Sequence, residues 1–112
     1  MIINTEDYQV ECIEEGTAII RGTMRLPSPV SYDQPFEPIK NGIEESSGTY
    51  TIDISNLEYL NSSGLTAFAR LFILARTKDI PLTIIGTENI PWQKSSIYSL
   101  KKLWDKITIN LV

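Results

Sequence analysis

The chain has 112 residues, enough for one core and one domain over 1–112. Hydrophobic residues make up 42% and charged residues 21%, the balance of an ordinary globular protein. The net charge of −4 argues against nucleic-acid or anionic-membrane partners, since both want a basic surface. There is no histidine, which removes the commonest metal ligand and the commonest general base near neutral pH. The single cysteine, Cys12, excludes an internal disulfide and a multi-cysteine metal site, and no cofactor is expected. A small buried hydrophobe is the natural reading of that thiol.

At the amino end, Met1 to Asp7 lack a basic segment followed by an apolar run, so no signal peptide is expected. The most apolar window, Leu71 to Ala75, is far too short to span a bilayer. A cytoplasmic location is the simplest expectation. Tyr8, Val10 and Cys12 alternate with polar residues, which predicts a first strand. A turn at Glu14-Glu15-Gly16 leads to a second strand whose alternation runs from Ala18 to Leu26, so the two should form an antiparallel hairpin.

Pro27, Pro29, Pro35 and Pro38 make the next stretch irregular, and a helix is expected from Gln34 or Pro35. Phe36, Ile39 and Ile43 give it an apolar face, Gly42 weakens it, and Ser46-Ser47-Gly48 ends it. Tyr50 to Ser55 reads as a third strand and Asn56 to Leu60 as an extended loop. A helix then runs from Ser62 or Ser63 to Lys78, burying Leu65, Phe68, Ala69, Phe72 and Ile73. Asp79-Ile80-Pro81 breaks it, and Leu82 to Gly86 reads as a buried parallel strand. Pro91 to Leu103 reads as a helix with Ile97, Leu100, Leu103 and Trp104 inward, and Ile107, Ile109 and Leu111 mark a last strand. The expected fold is α/β, in the order β-β-α-β-α-β-α-β: a mixed sheet of about five strands with helices mainly on one face.

The junction Asn61-Ser62-Ser63-Gly64 stands at the carboxyl end of a strand and the amino end of a helix, where α/β proteins usually keep working residues. There is no glycine-rich phosphate loop and no G-x-S-x-G elbow. With no histidine to activate Ser62, a conventional hydrolase triad cannot be built, so no enzymatic activity is expected.

From Asp53 through Asn61-Ser62-Ser63-Gly64-Leu65 the chain resembles the STAS domain, the family of anti-sigma-factor antagonists and of the cytoplasmic tails of sulfate transporters. The likeness is dense from Tyr50 to Ala75. It implies a stand-alone, non-enzymatic partner-switching module. A serine kinase resembling histidine-kinase ATPase domains phosphorylates the domain and breaks the complex, and a phosphatase resets it. The family's acceptor position falls on Ser62, with Ser63 as the neighbouring alternative. Asn61, Ser62, Ser63, Gly64, Thr66 and Arg70 are the expected partner-binding residues, the last two lying one and two turns beyond Ser62.

Two departures stand out. The family's aspartate is Asn61 here, which keeps an equally good helix cap and drops the carboxylate. The segment Leu26 to Pro38 is longer and richer in proline than the family's usual connection. A constitutive interaction domain without a switch, and a small-ligand or nucleotide sensor using the helix end, are the alternative readings.

Overall fold

The computed structural model describes residues 1–13 and 16–112. The expected turn at Glu14-Glu15-Gly16 therefore lies, apart from Gly16, outside the described residues. Six strands form one mixed sheet: β1 (Ile2–Asn4), β2 (Tyr8–Ile13), β3 (Thr17–Met24), β4 (Tyr50–Leu60), β5 (Leu82–Gly86) and β6 (Ile107–Leu111). Three α-helices connect them: α1 (Asp33–Glu45), α2 (Ser62–Lys78) and α3 (Pro91–Leu100). Single 3-10 turns precede α1 at Pro29–Tyr32 and follow α3 at Lys101–Leu103. The expectation of about five strands is one short. The extra strand, β1, is three residues long and pairs antiparallel with β2 through Ile2–Glu11 and Asn4–Gln9. So short a run carries no readable periodicity.

The spatial order of the strands equals their order in the chain. β2 and β3 pair antiparallel, and β3 to β6 run parallel. Each α-helix therefore crosses one step in the same direction. Right-handed crossovers then place all three helices on the same face. The burial pattern agrees. Ala18, Ile20, Tyr50, Ile52, Ile54, Leu82, Ile84 and Ile107 are buried under the helices. Thr17, Thr51, Thr83 and Thr108 stand in one row across the opposite, uncovered face.

Three sequence expectations need correction. The stretch Asn56–Leu60, expected as a loop, continues β4. Ile19 faces Asp53 while Arg21 faces Asn56, and Gly22 faces Leu57 while Thr23 faces Tyr59. At each step β4 carries one surplus residue, a bulge, which breaks the alternation that marks a strand. Secondly, α2 buries Gly64, Ala67, Phe68, Leu71, Phe72 and Ala75, while Ile73 is 51% exposed. The true stripe follows i, i+3, i+4, i+7 from Gly64, one residue away from the expected one. Leu65 is only partly buried and packs against the core. Thirdly, α3 ends at Leu100 and tightens into the 3-10 turn, leaving Leu100, Leu103 and Trp104 partly buried.

Gly42, expected to weaken α1, has a packing reason to be there. A Cβ at this position would stand 2.6 Å from the Tyr50 hydroxyl. Tyr50 is 2% exposed and closes the core at that end, so only glycine lets α1 pass over its ring. Cys12 packs partly buried against the core, where burial raises its thiol pKa.

Candidate functional site

The junction between β4 and α2 is built around one side chain. Asn61, in extended conformation, is the N-cap of α2. Its Oδ1 accepts from Gly64 N at 2.9 Å, satisfying one of the orphan donors of the first turn. The same oxygen accepts from the Tyr32 hydroxyl at 2.6 Å. Its Nδ2 donates to Leu26 O at 2.9 Å. Leu26 N in turn donates to the Tyr32 oxygen at 3.2 Å. Asn61, Tyr32 and Leu26 thus form a closed ring of hydrogen bonds, and the Asn61 backbone adds a fourth link by donating to Met24 O at 3.2 Å.

This ring explains the proline-rich segment. Ser28 caps the 3-10 turn by accepting from Ser31 N, Pro29 starts the turn, and the turn delivers Tyr32 into the core. Tyr32 is fully buried, so its hydroxyl needs partners and finds both in the ring. Burial raises the phenol pKa, and the Leu26 N–H offsets part of the rise. The ring also explains the amide. Leu26 O requires a donor, which the carboxylate of an aspartate lacks at neutral pH.

The expected site residues separate into inside and outside. Ser62, the first residue of α2, is exposed, and Ser63 is partly buried. Neither hydroxyl is the cap, since Asn61 holds that position. Thr66 and Arg70 are exposed, and Thr66 Oγ1 donates back to Ser62 O at 3.2 Å. Arg70 also borders a groove of about 320 Å³ between α1 and α2, floored by Phe36 and Leu71. Gly64 is buried, and a Cβ there would meet Leu60 Cδ1 at 2.3 Å and the Tyr32 hydroxyl at 2.8 Å. Its close approach is therefore to the protein's own core.

Sequence reading passed over the residues behind the junction. Beyond Asp53, β4 leaves its pairing with β5 and continues against β3 alone. The gap that opens is filled by the start of α3. Gln93, fully buried, donates through Nε2 to Ile54 O at 2.7 Å and Leu57 O at 3.1 Å. Its Oε1 accepts from Thr87 N at 2.9 Å. Trp92 Nε1 also donates to Leu57 O at 3.1 Å. One amide thus replaces the missing ladder bonds and fills the gap between β4 and β5. Arg25 lies over the Tyr59 ring at 4.7 Å, placing a cation and a 39% exposed aromatic where β3 and β4 end. Tyr32 and Leu26 are 29 and 35 positions from Asn61, so no local pattern marks them.

No family model matches the chain, and no curated protein does either. Among the described residues no helix is long and apolar enough to cross a membrane, and no group of three or more metal-binding side chains is clustered.

Proposed function

We propose that this chain is a STAS-type regulatory module, non-enzymatic and cytoplasmic. It binds a protein partner through the exposed surface at the amino end of α2 and is switched by phosphorylation of Ser62. The partner is a serine kinase of the ATPase type that acts on Ser62, and a phosphatase reverses the modification. The carrying observation is the pairing of an exposed Ser62 with a cap already satisfied by Asn61. A phosphate there adds about −1.5 to −2 charge at the positive end of the helix dipole, which favours it by about 0.3–1 kcal/mol. The Ser62 hydroxyl takes no part in the Asn61–Tyr32–Leu26 ring, so the fold stays the same while the partner surface gains negative charge.

Mass mapping after incubation with the partner kinase and ATP tests this reading. The expected label is on Ser62, with Ser63 as the neighbouring site, and label found only elsewhere overturns the switch. Ser62→Asp is expected to keep full thermal stability and to lose partner affinity by at least about tenfold.

A second reading, a constitutive interaction module, is favoured by one observation. Both polar atoms of the Asn61 amide are engaged by the fold, so the cap presents no carboxylate toward Ser62. Under that reading Ser62→Asp leaves partner affinity unchanged.

A further inference from the structure

The charges of this chain are sorted along the sequence. Residues 1–60 hold eleven acidic and three basic side chains, a net −8. Residues 61–112 hold three acidic and seven basic ones, a net +4. In most folds such sorting is scrambled by the topology. Here the strands lie in chain order across the sheet, so the sorting survives as a charge separation between two flanks. Glu11, Glu37, Glu44 and Glu45 belong to β2 and α1 on one side. Arg76, Lys78, Lys101, Lys102 and Lys106 belong to the end of α2 and the lead-in to β6 on the other.

The basic flank is gathered by specific contacts. Arg76 in the last turn of α2 donates to Leu103 O at 3.1 Å, tying α2 to the 3-10 turn that carries Lys101 and Lys102. Lys101 Nζ donates to Ile107 O on the free edge of β6. Lys106 pairs with Asp79 at 3.0 Å, just past the end of α2, and lies 5.9 Å from the Trp104 ring centroid. Arg76, Lys78, Lys101, Lys102 and Lys106 are all exposed. Among the described residues only Lys106 of these five has a carboxylate within 4.0 Å. Against them stand Asp79 and Asp105, so the patch carries +3 on a protein of −4.

We propose that this flank, formed by the end of α2, the 3-10 turn and the lead-in to β6, docks an acidic segment of a partner protein. The two interleaved carboxylates favour that occupant. A peptide with spaced Asp and Glu side chains can set them against the cations and avoid Asp79 and Asp105. A continuous phosphate surface meets the carboxylates as well. Trp104, partly buried beside Lys106, supplies an apolar contact for the segment's backbone and stems. The surface lies at the amino ends of the parallel strands, whereas Ser62 follows the carboxyl end of β4, so it acts independently of the proposed switch. The charge separation also orients approach, since the opposite flank repels the same ligand.

The test is titration of the full chain with a peptide of about eight glutamates, followed by Trp fluorescence or calorimetry, beside a glutamine peptide, phosphatidylserine vesicles and single-stranded oligonucleotide. Saturable binding of the glutamate peptide is expected, weakening by about tenfold between about 50 and about 300 mM salt. Lys78→Glu with Lys102→Glu is expected to lower it by at least about tenfold, and Lys40→Glu on α1 to leave it unchanged. Lys78→Gln with Lys102→Gln, which adds no repulsion, should give an intermediate loss. Absence of saturable binding overturns the proposal, as does binding indifferent to the Lys78 and Lys102 changes. Tighter binding of vesicles or oligonucleotide than of peptide overturns the assignment to a protein partner.

Discussion

The Tyr32 hydroxyl donates to Asn61 Oδ1 at 2.6 Å, so one side-chain oxygen caps α2 and anchors the segment that precedes α1. Two parts of the chain 29 residues apart share one acceptor. The position of Ser62 at the surface depends on that shared atom, because the cap sets where α2 begins.

Asn61→Asp tests the amide. As a helix cap the two residues are equivalent, and the added charge favours the helix end by about 0.3–1 kcal/mol. Against this, Leu26 O loses its donor and faces a carboxylate oxygen. Leu26 O is part-buried, so losing its donor costs about 1 kcal/mol, the low end for an unsatisfied group, and repulsion between the two oxygens adds to it. A net loss of up to about 1 kcal/mol is expected in urea unfolding at neutral pH. Unchanged or raised stability removes the ring from the account of this site.

Gly64→Ala sets helix propensity against packing. Alanine is favoured over glycine in a helix by up to about 1 kcal/mol, less in the first turn where Gly64 sits. The new methyl, however, meets Leu60 Cδ1 at 2.3 Å and Tyr32 Oη at 2.8 Å. Overpacking of this kind costs about 1–3 kcal/mol, and it strikes the ring directly. Net destabilisation of about 1–2 kcal/mol is expected, and Tyr32→Phe in the same background should relieve part of it. Full additivity of the two changes disproves the contact.

Gln93→Leu keeps the volume and removes the plug. Ile54 O loses its side-chain partner, as does Thr87 N, while Leu57 O keeps Trp92 Nε1. One buried carbonyl and one part-buried N–H without partners cost about 1–3 kcal/mol together, offset only slightly by the added apolar surface. Hydrogen exchange should rise at β5 and at the distal half of β4. Stability equal to that of the parent chain shows that water satisfies the crevice.

Alkaline titration reads the two buried phenols. Burial raises the pKa of Tyr50, reinforced by Cys12 at 4.0 Å, and raises that of Tyr32. Both folded values stand above the unfolded value of about 10. Their contribution is therefore complete below about pH 10 and is lost as pH rises from there through the folded values, at up to about 1.4 kcal/mol per pH unit for each phenol. Tyr50→Phe should flatten the fall in urea midpoint between about pH 9 and about pH 11.5 relative to the parent chain. An identical slope in the two proteins places the loss on other groups.

What could be read along the chain is what repeats locally. β2, β3 and β5 carry short alternating or apolar runs, and α2 lies between Asn61 and the Asp79-Ile80-Pro81 stop, so each shows its period within its own window. The family-like junction is likewise contiguous, from Asp53 to Leu65. Where the period slips, the reading fails. The two bulges in β4 disguised its last five residues as a loop, and the low contrast around α2 shifted its buried stripe by one residue, putting Ile73 inside when it is outside.

Local pattern was enough for an α/β domain, helix-strand repeats behind a hairpin, and two serines beside an asparagine at a strand-to-helix junction. Only the folded chain shows that both polar atoms of the Asn61 amide are engaged, that Tyr32 and the proline-rich segment hold it, and that Gln93 fills the gap beside β4. It also decided that sorted charges become two opposed flanks. The physical reason is range. Helix and strand preferences are set within a few residues, whereas a buried polar atom takes whatever partner the folded chain brings within about 3 Å, however distant along the sequence.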